Sequence, residues 1–241
     1  MMTRKNDAVQ MEWVFPLNPK DEIGIREAMM YKDADIKVTL LHHTPLWVAS
    51  TAIRKCWASE GRSDNGGPKD MELIERVGNK NHHSSTLEHL VYSFDIDGIS
   101  RGCLQELARH RVASLSVKST RYTLKHLKAE EPFTTTREDY ERAAEYVTYC
   151  GDVIVDVSSL RALENTRLAL NTGATNDVAK YCLPESFKTS LVWTMNARGL
   201  QNFLSLRTHR SAHQEIQNLA FMLYSNLPAD HQYLFKEFLK S

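Results

Sequence analysis

Two stretches of this chain alternate apolar and polar side chains, and a residue able to cap a helix follows each. Leu90, Tyr92, Phe94 and Ile96 fall on one side of the first. Phe187, Thr189, Leu191, Trp193 and Met195 fall on one side of the second. A period of two is strand spacing. Ser100 then caps a helix in which Leu104, Leu107, Ala108 and Arg111 recur at helical spacing, ending around an Arg-His-Arg run. Asn196 caps the helix after the second strand. Helical spacing of Met71, Ile74 and Val77 predicts another helix over about 69–79. Residues 137–172 read as helical between Thr136 as cap and Gly173 as stop, and a short helix over 177–182 stops before Pro184. Ser211 and Gln214 form a capping-box pair ahead of the apolar stripe Ile216, Leu219, Ala220 and Leu223. The sum is an α+β fold, a single domain over residues 1–241 with a central, mostly antiparallel sheet packed against long helices. Residues 1–30 form an N-terminal extension that fits no element.

Composition narrows the function classes. Hydrophobic residues make up 42% of the 241 and charged residues 25%, ordinary for a globular protein. Lysine plus arginine equals aspartate plus glutamate at 30 each, so there is no global basic field for nucleic acid or membrane. The first twenty residues have no long apolar core, no run of apolar residues reaches membrane-spanning length, and no secretory signal is expected. Cys56, Cys103, Cys150 and Cys182 form no CxxC pair, so reduced thiols and a cytoplasmic setting are expected. The stretches 59–68 and 128–136 read as surface loops.

Against that neutral background, residues 101–128 carry seven cations and one acid, Glu106, a local charge of +6. A field this local suits a compact anion such as a nucleotide phosphate better than a long polyanion. Arginine offers a planar fork of donors, Ser114, Ser116 and Ser119 add neutral ones, and Tyr122 can stack or hydrogen-bond. The alternative is a solvated basic helix end. A second polar cluster runs from His82 to His89 before the first strand. It has no HExxH pattern and its spacing is not diagnostic of a metal, so its histidines cap a helix or line a polar pocket. In a third, Arg198, Asn202 and Ser205 share one face of the helix after Asn196, with Leu200, Phe203, Leu204 and Arg207 turned elsewhere.

Together the three clusters resemble the flavin-dependent thymidylate synthases, whose signature is Arg-His-Arg, seven residues, then Ser. Here it reads Arg109-His110-Arg111, Val112 to Lys118, and Ser119, continued by Arg121 and Tyr122. The segment from His83 to His89 looks like the family's histidine-led segment, and Trp193 to Arg207 is similar to its asparagine-arginine helix. The resemblance covers roughly 35–225. It implies a homotetramer with FAD between subunits, making dTMP from dUMP. The methylene would come from methylenetetrahydrofolate, and the reducing hydride from NADPH by way of the flavin. It also implies FAD contacts at His83, Ser85, Arg109, His110, Arg111, Asn196, Arg198 and Asn202. Arg109, Ser119 and Arg121 would hold dUMP, and Arg207 would sit at the uracil edge as the catalytic residue, favouring ionisation at N3. The basic run would then hold flavin and nucleotide phosphate together.

The chain departs from the family pattern at Lys180, where arginine is frequent, at Glu106, where glutamine is common, and at Val117, where some members have glutamate. Lys180 still neutralises phosphate, and Glu106 still faces dUMP, as an acceptor when ionised. Ser119 with His110 as its base is an alternative nucleophile, set below a positioning role for Ser119, and nothing around Cys182 resembles a nucleophile motif. Two further readings are a nucleic-acid-binding protein, which the few aromatics in the basic strip disfavour, and a nucleotide-binding oligomer without activity.

Overall fold

The computed structural model describes residues 36–240, so the segment 1–30 lies outside the described residues. Strands β1 (Lys37–His43), β2 (Val91–Ser100), β3 (Ala113–Val117) and β4 (Lys188–Asn196) form one antiparallel sheet in the order β1-β2-β4-β3. The two alternating stretches are its central pair, joined from Val91↔Asn196 to Ser100↔Lys188. Their apolar positions face one way and are buried, with Phe94 directly opposite Trp193 and Ile96 opposite Leu191. Gly98, at φ +82°, marks a bulge between Asp97 and Ile99 that only glycine enters without strain, and Ile99 and Ser100 are buried beyond it.

Helices cover that apolar face: α1 (Leu46–Cys56), α2 (Pro68–Ile74), α3 (Arg101–Leu107), α6 (Ala197–Arg207) and α7 (Gln214–Ser225), counting α4 (Arg137–Ala143) and α5 (Val153–Asn171) between. The Ile216, Leu219, Ala220 and Leu223 stripe of α7 is buried. A second apolar cluster, with Tyr140, Leu160, Leu163 and Leu170, forms around α4 and α5.

Ser100 and Asn196 cap α3 and α6 as expected, accepting from the amides of Cys103 and Gly199. Thr136 caps α4, and Gly173 follows α5 at φ +100°. The structure corrects three expectations and refines a fourth. The helix over 137–172 is two helices, because Gly151 (φ +87°) breaks it and Asp152 caps a new start by accepting from Ile154 and Val155. The Ser211–Gln214 capping box does not form. Helix α7 begins at Gln214 itself, and the Ser211 hydroxyl pairs with His209 Nδ1. Helix α3 stops at Leu107, before the Arg-His-Arg run, and the 69–79 helix is α2 continued by a π-turn over Glu75–Lys80. Strands β1 and β3 are additions at the sheet edges.

The loop at 59–68 is pinned by one buried carboxylate. Asp70 accepts from Arg54 Nε and Nη2 at 3.0 and 2.7 Å, from the Ser63 hydroxyl at 2.6 Å and from the Gly66 amide at 3.0 Å. Burial raises its pKa, but these donors outweigh burial and hold it down at about 2. Its contribution to stability is complete above pH 4 and is lost as pH falls from about 4 towards 2. Asp139, also held at about 2, acts in the same window. Asp70→Ala strands a buried arginine and is expected to cost about 3–5 kcal/mol in urea unfolding at pH 7. Asp70→Asn should flatten, without abolishing, the acid limb of the stability profile. An Asp70→Ala protein as stable as the wild type would contradict this account of the loop.

Candidate active site

The antiparallel β2–β4 pair sets where the basic residues arrive. Ser100 lies at the Lys188 end of the pair, and α3 runs back towards the Asn196 end. Arg109, His110 and Arg111 are thereby delivered beside the start of α6, and β3 enters the sheet with Ala113 opposite Met195. Gly199 keeps this junction close, since a Cβ there would lie 3.3 Å from Asn196 Oδ1 and 3.6 Å from the Val112 carbonyl. Behind α6, buried Gln201 donates to Asn79 Oδ1 at 2.9 Å and to the Leu234 carbonyl at 2.8 Å, fixing the helix against the core.

A cavity of about 870 Å³ opens at this junction. It gathers Arg109, His110 and Arg111 from the first basic run with Asn196, Arg198 and Asn202 from the third cluster. Glu106 and Arg207 complete one wall, so Arg207 faces the same cavity as Arg198 and Asn202 rather than turning elsewhere. Its Nε donates to His110 Nε2 at 3.1 Å, Nη1 to the Glu106 carboxylate, and Nη2 to the Glu106 carbonyl at 3.2 Å. His110 is nearly buried, edge-on to Phe203, whose ring packs on Trp193. Burial first, then the Arg207 charge, push the His110 imidazole down to about 4, against the opposing pull of Glu106.

The other expected residues lie elsewhere. Ser119 and Arg121 follow the far end of β3, where Val117 pairs with Leu191. Five strand residues separate the two groups by about 17 Å. The basic run is therefore split within one chain, and Ser119 does not meet His110. Alternation of Ala113, Leu115 and Val117 with Ser114 and Ser116 is the sequence signal for this strand. Arg121 Nε lies 3.2 Å from Asp177, which Lys180 also approaches at 3.4 Å, so these two cations share one exposed carboxylate. His83 and Ser85 are exposed, and neither lines the cavity. Two acids face the site cations: Asp177, which the sequence reading does not single out, and Glu88 of the His82–His89 cluster, which pairs with Arg198 at 2.7 Å on the cavity wall. Nothing local marks the Glu88–Arg198 pair, 110 residues apart, whereas Asp177 and Lys180 are only three apart.

The family described as "Thymidylate synthase complementing protein" matches residues 39–229. A flavin-dependent thymidylate synthase of Wolinella succinogenes is 62% identical over 198 residues, covering 82% of this chain and 96% of that protein. One from Campylobacter jejuni is 56% identical over 204 residues, covering 85% and 98%. The crystal structure of thymidylate synthase X from Helicobacter pylori, with FAD and dUMP, superposes with a TM-score of 0.82 at 53% identity, covering 85% of this chain and all of that one.

The Asn196 side chain has two ends with separate tasks: its oxygen caps α6 at 2.8 Å, and its nitrogen can donate into the cavity. Asn196→Asp should keep the cap and unfold in urea within a few tenths of the wild type, roughly as capping residues interchange. Asn196→Ala should lose about 1 kcal/mol. Equal losses in both variants would contradict the cap assignment.

Proposed function

The chain belongs to the flavin-dependent thymidylate synthase family, and from that premise we propose how its residues carry out the conversion of dUMP to dTMP. The observation that carries the reading is the cavity beside α6, where three guanidinium groups, Arg109, Arg111 and Arg198, surround space with two carboxamides, Asn196 and Asn202. That donor set fits a phosphate-bearing heteroaromatic anion, which is the chemistry of FAD. In this reading Arg109, His110 and Arg111 hold FAD with Asn196, Arg198 and Asn202, and Arg109 also reaches dUMP. When bound, FAD relays reducing equivalents from NADPH to the methylene supplied by methylenetetrahydrofolate.

Arg207 and Glu106 take the uracil end of dUMP. C5 must act as a nucleophile towards the methylene, and a cation at the ring edge stabilises the enolate-like charge that this requires. Arginine is too basic to accept the N3 proton, which passes to solvent, so Arg207 acts as a fixed charge.

Ser119, Arg121 and Lys180 take the phosphate, displacing Asp177. They follow the opposite end of β3 from the Arg109–Arg111 run, about 17 Å away along the backbone. The reading therefore places the phosphate on one copy and the uracil on another. That supports the homotetramer with FAD between subunits, in which His83 and Ser85 contact FAD across the interface. The proposed setting is the cytoplasm: among the described residues all cysteines are free, and no helix is long and apolar enough to cross a membrane.

Tritium release from dUMP labelled at C5 tests the reaction. Release should require FAD, NADPH and methylenetetrahydrofolate together. Arg207→Ala, at saturating dUMP, should fall at least about 10²-fold. No release from folded, flavin-loaded protein would remove the reaction, and near-normal turnover in Arg207→Ala would remove the role given to Arg207.

A further inference from the structure

The guanidinium of Arg207 carries five N–H donors. Three are engaged within the chain: Nε on His110 Nε2, Nη1 on the Glu106 carboxylate and Nη2 on the Glu106 carbonyl. Among the described residues this leaves one N–H on each terminal nitrogen. Two adjacent donors match the edge of a uracil ring, where a deprotonated N3 and a neighbouring carbonyl oxygen form an adjacent pair of acceptors. The match depends on the plane of the guanidinium, and Glu106 alone does not fix it, because its side chain is 38% exposed.

His110 is the more rigid of the two partners. Its residue exposure is 9%, and its ring stands 4.9 Å from Phe203 between centroids, with Phe203 5.0 Å from the fully buried Trp193. The imidazole can accept from Arg207 only when neutral, with its proton on Nδ1. Burial and the adjoining charge hold it neutral near pH 7.

We propose that His110 is a positioning residue that acts through Arg207: the bare Nε2 of its core-anchored imidazole fixes the guanidinium plane and presents the two remaining N–H groups to the uracil edge of dUMP. This rests on the thymidylate synthase reading and assigns His110 a task in addition to holding the flavin. The Trp193, Phe203, His110 and Arg207 side chains then form one continuous support from the sheet to the substrate.

The test compares wild type, His110→Gln and His110→Leu. Glutamine places a neutral acceptor oxygen near the Nε2 position, and leucine offers none. Any loss of FAD affinity, read by flavin fluorescence, is expected to be the same in both variants, since neither keeps the imidazole that lines the cavity. On FAD-saturated protein, His110→Leu should weaken dUMP binding and lower kcat by about 10²-fold, with His110→Gln recovering to within about 10-fold. The same dUMP binding and kcat in the two FAD-saturated variants, with no recovery in His110→Gln, would overturn the proposal. A second readout does not depend on turnover. In ¹⁵N-histidine-labelled wild type at pH 7, His110 should carry its proton on Nδ1 and none on Nε2, and Arg207→Ala should shift the Nε2 resonance. A proton on Nε2 in the wild type overturns the proposal. If the wild type makes no dTMP, the thymidylate reading falls and the tautomer still decides the role of His110.

Discussion

Everything functional in this chain is hung on the antiparallel pairing of β2 with β4. The pair runs in opposite directions, so its two caps, Ser100 and Asn196, sit at opposite ends. One helix starts at the far end and returns; the other starts at the near end and leaves. Their basic residues therefore meet at one corner of the sheet without any contact in sequence. Removing the alternation of either strand would dissolve the corner as well as the core, because the buried faces of Phe94 and Trp193 are what hold the register.

The charge at that corner is arranged rather than merely accumulated. Arg198 and Arg207 each face an acid, Glu88 and Glu106, while His110 remains neutral between two arginines. Each pairing leaves part of a guanidinium fork for a ligand, and keeps cations close together without the full cost of mutual repulsion. The same arrangement recurs at the far end of β3, where Asp177 lies between Arg121 and Lys180. In the proposed reading, substrate phosphate would displace one exposed carboxylate there, a modest obstacle because exposed ion pairs are weak.

The central strands and their caps could be read from sequence because each has a one-sided pattern and a polar stop. The edge strands could not be read so easily. In β3, serine alternates with small or apolar residues, and the same serines looked like ligand donors. A half-exposed edge strand carries little burial signal. The break between α4 and α5 was written in Cys150-Gly151-Asp152, a glycine turn followed by a cap, but the apolar run on either side masked it. Ser211 fits a capping box by spacing alone, and the chain instead spends two more residues, Ala212 and His213, before starting α7. Arg109, His110 and Arg111 of the first cluster and Asn196, Arg198 and Asn202 of the third line one cavity. Ser119, Arg121 and Lys180 do not join them, since sequence proximity across β3 is not proximity in space.

That division is the central claim: one copy supplies Arg207 and another supplies Arg121 to the same nucleotide. Co-expression of Arg207→Ala with Arg121→Ala tests it most directly. Each variant alone should form folded, inactive oligomers. Mixed oligomers should regain turnover at about a quarter of their sites, the fraction that random assortment leaves with both residues intact. Mixed oligomers as inactive as either variant alone, with subunit mixing verified, would contradict the claim and require both arginines to serve one site from a single chain.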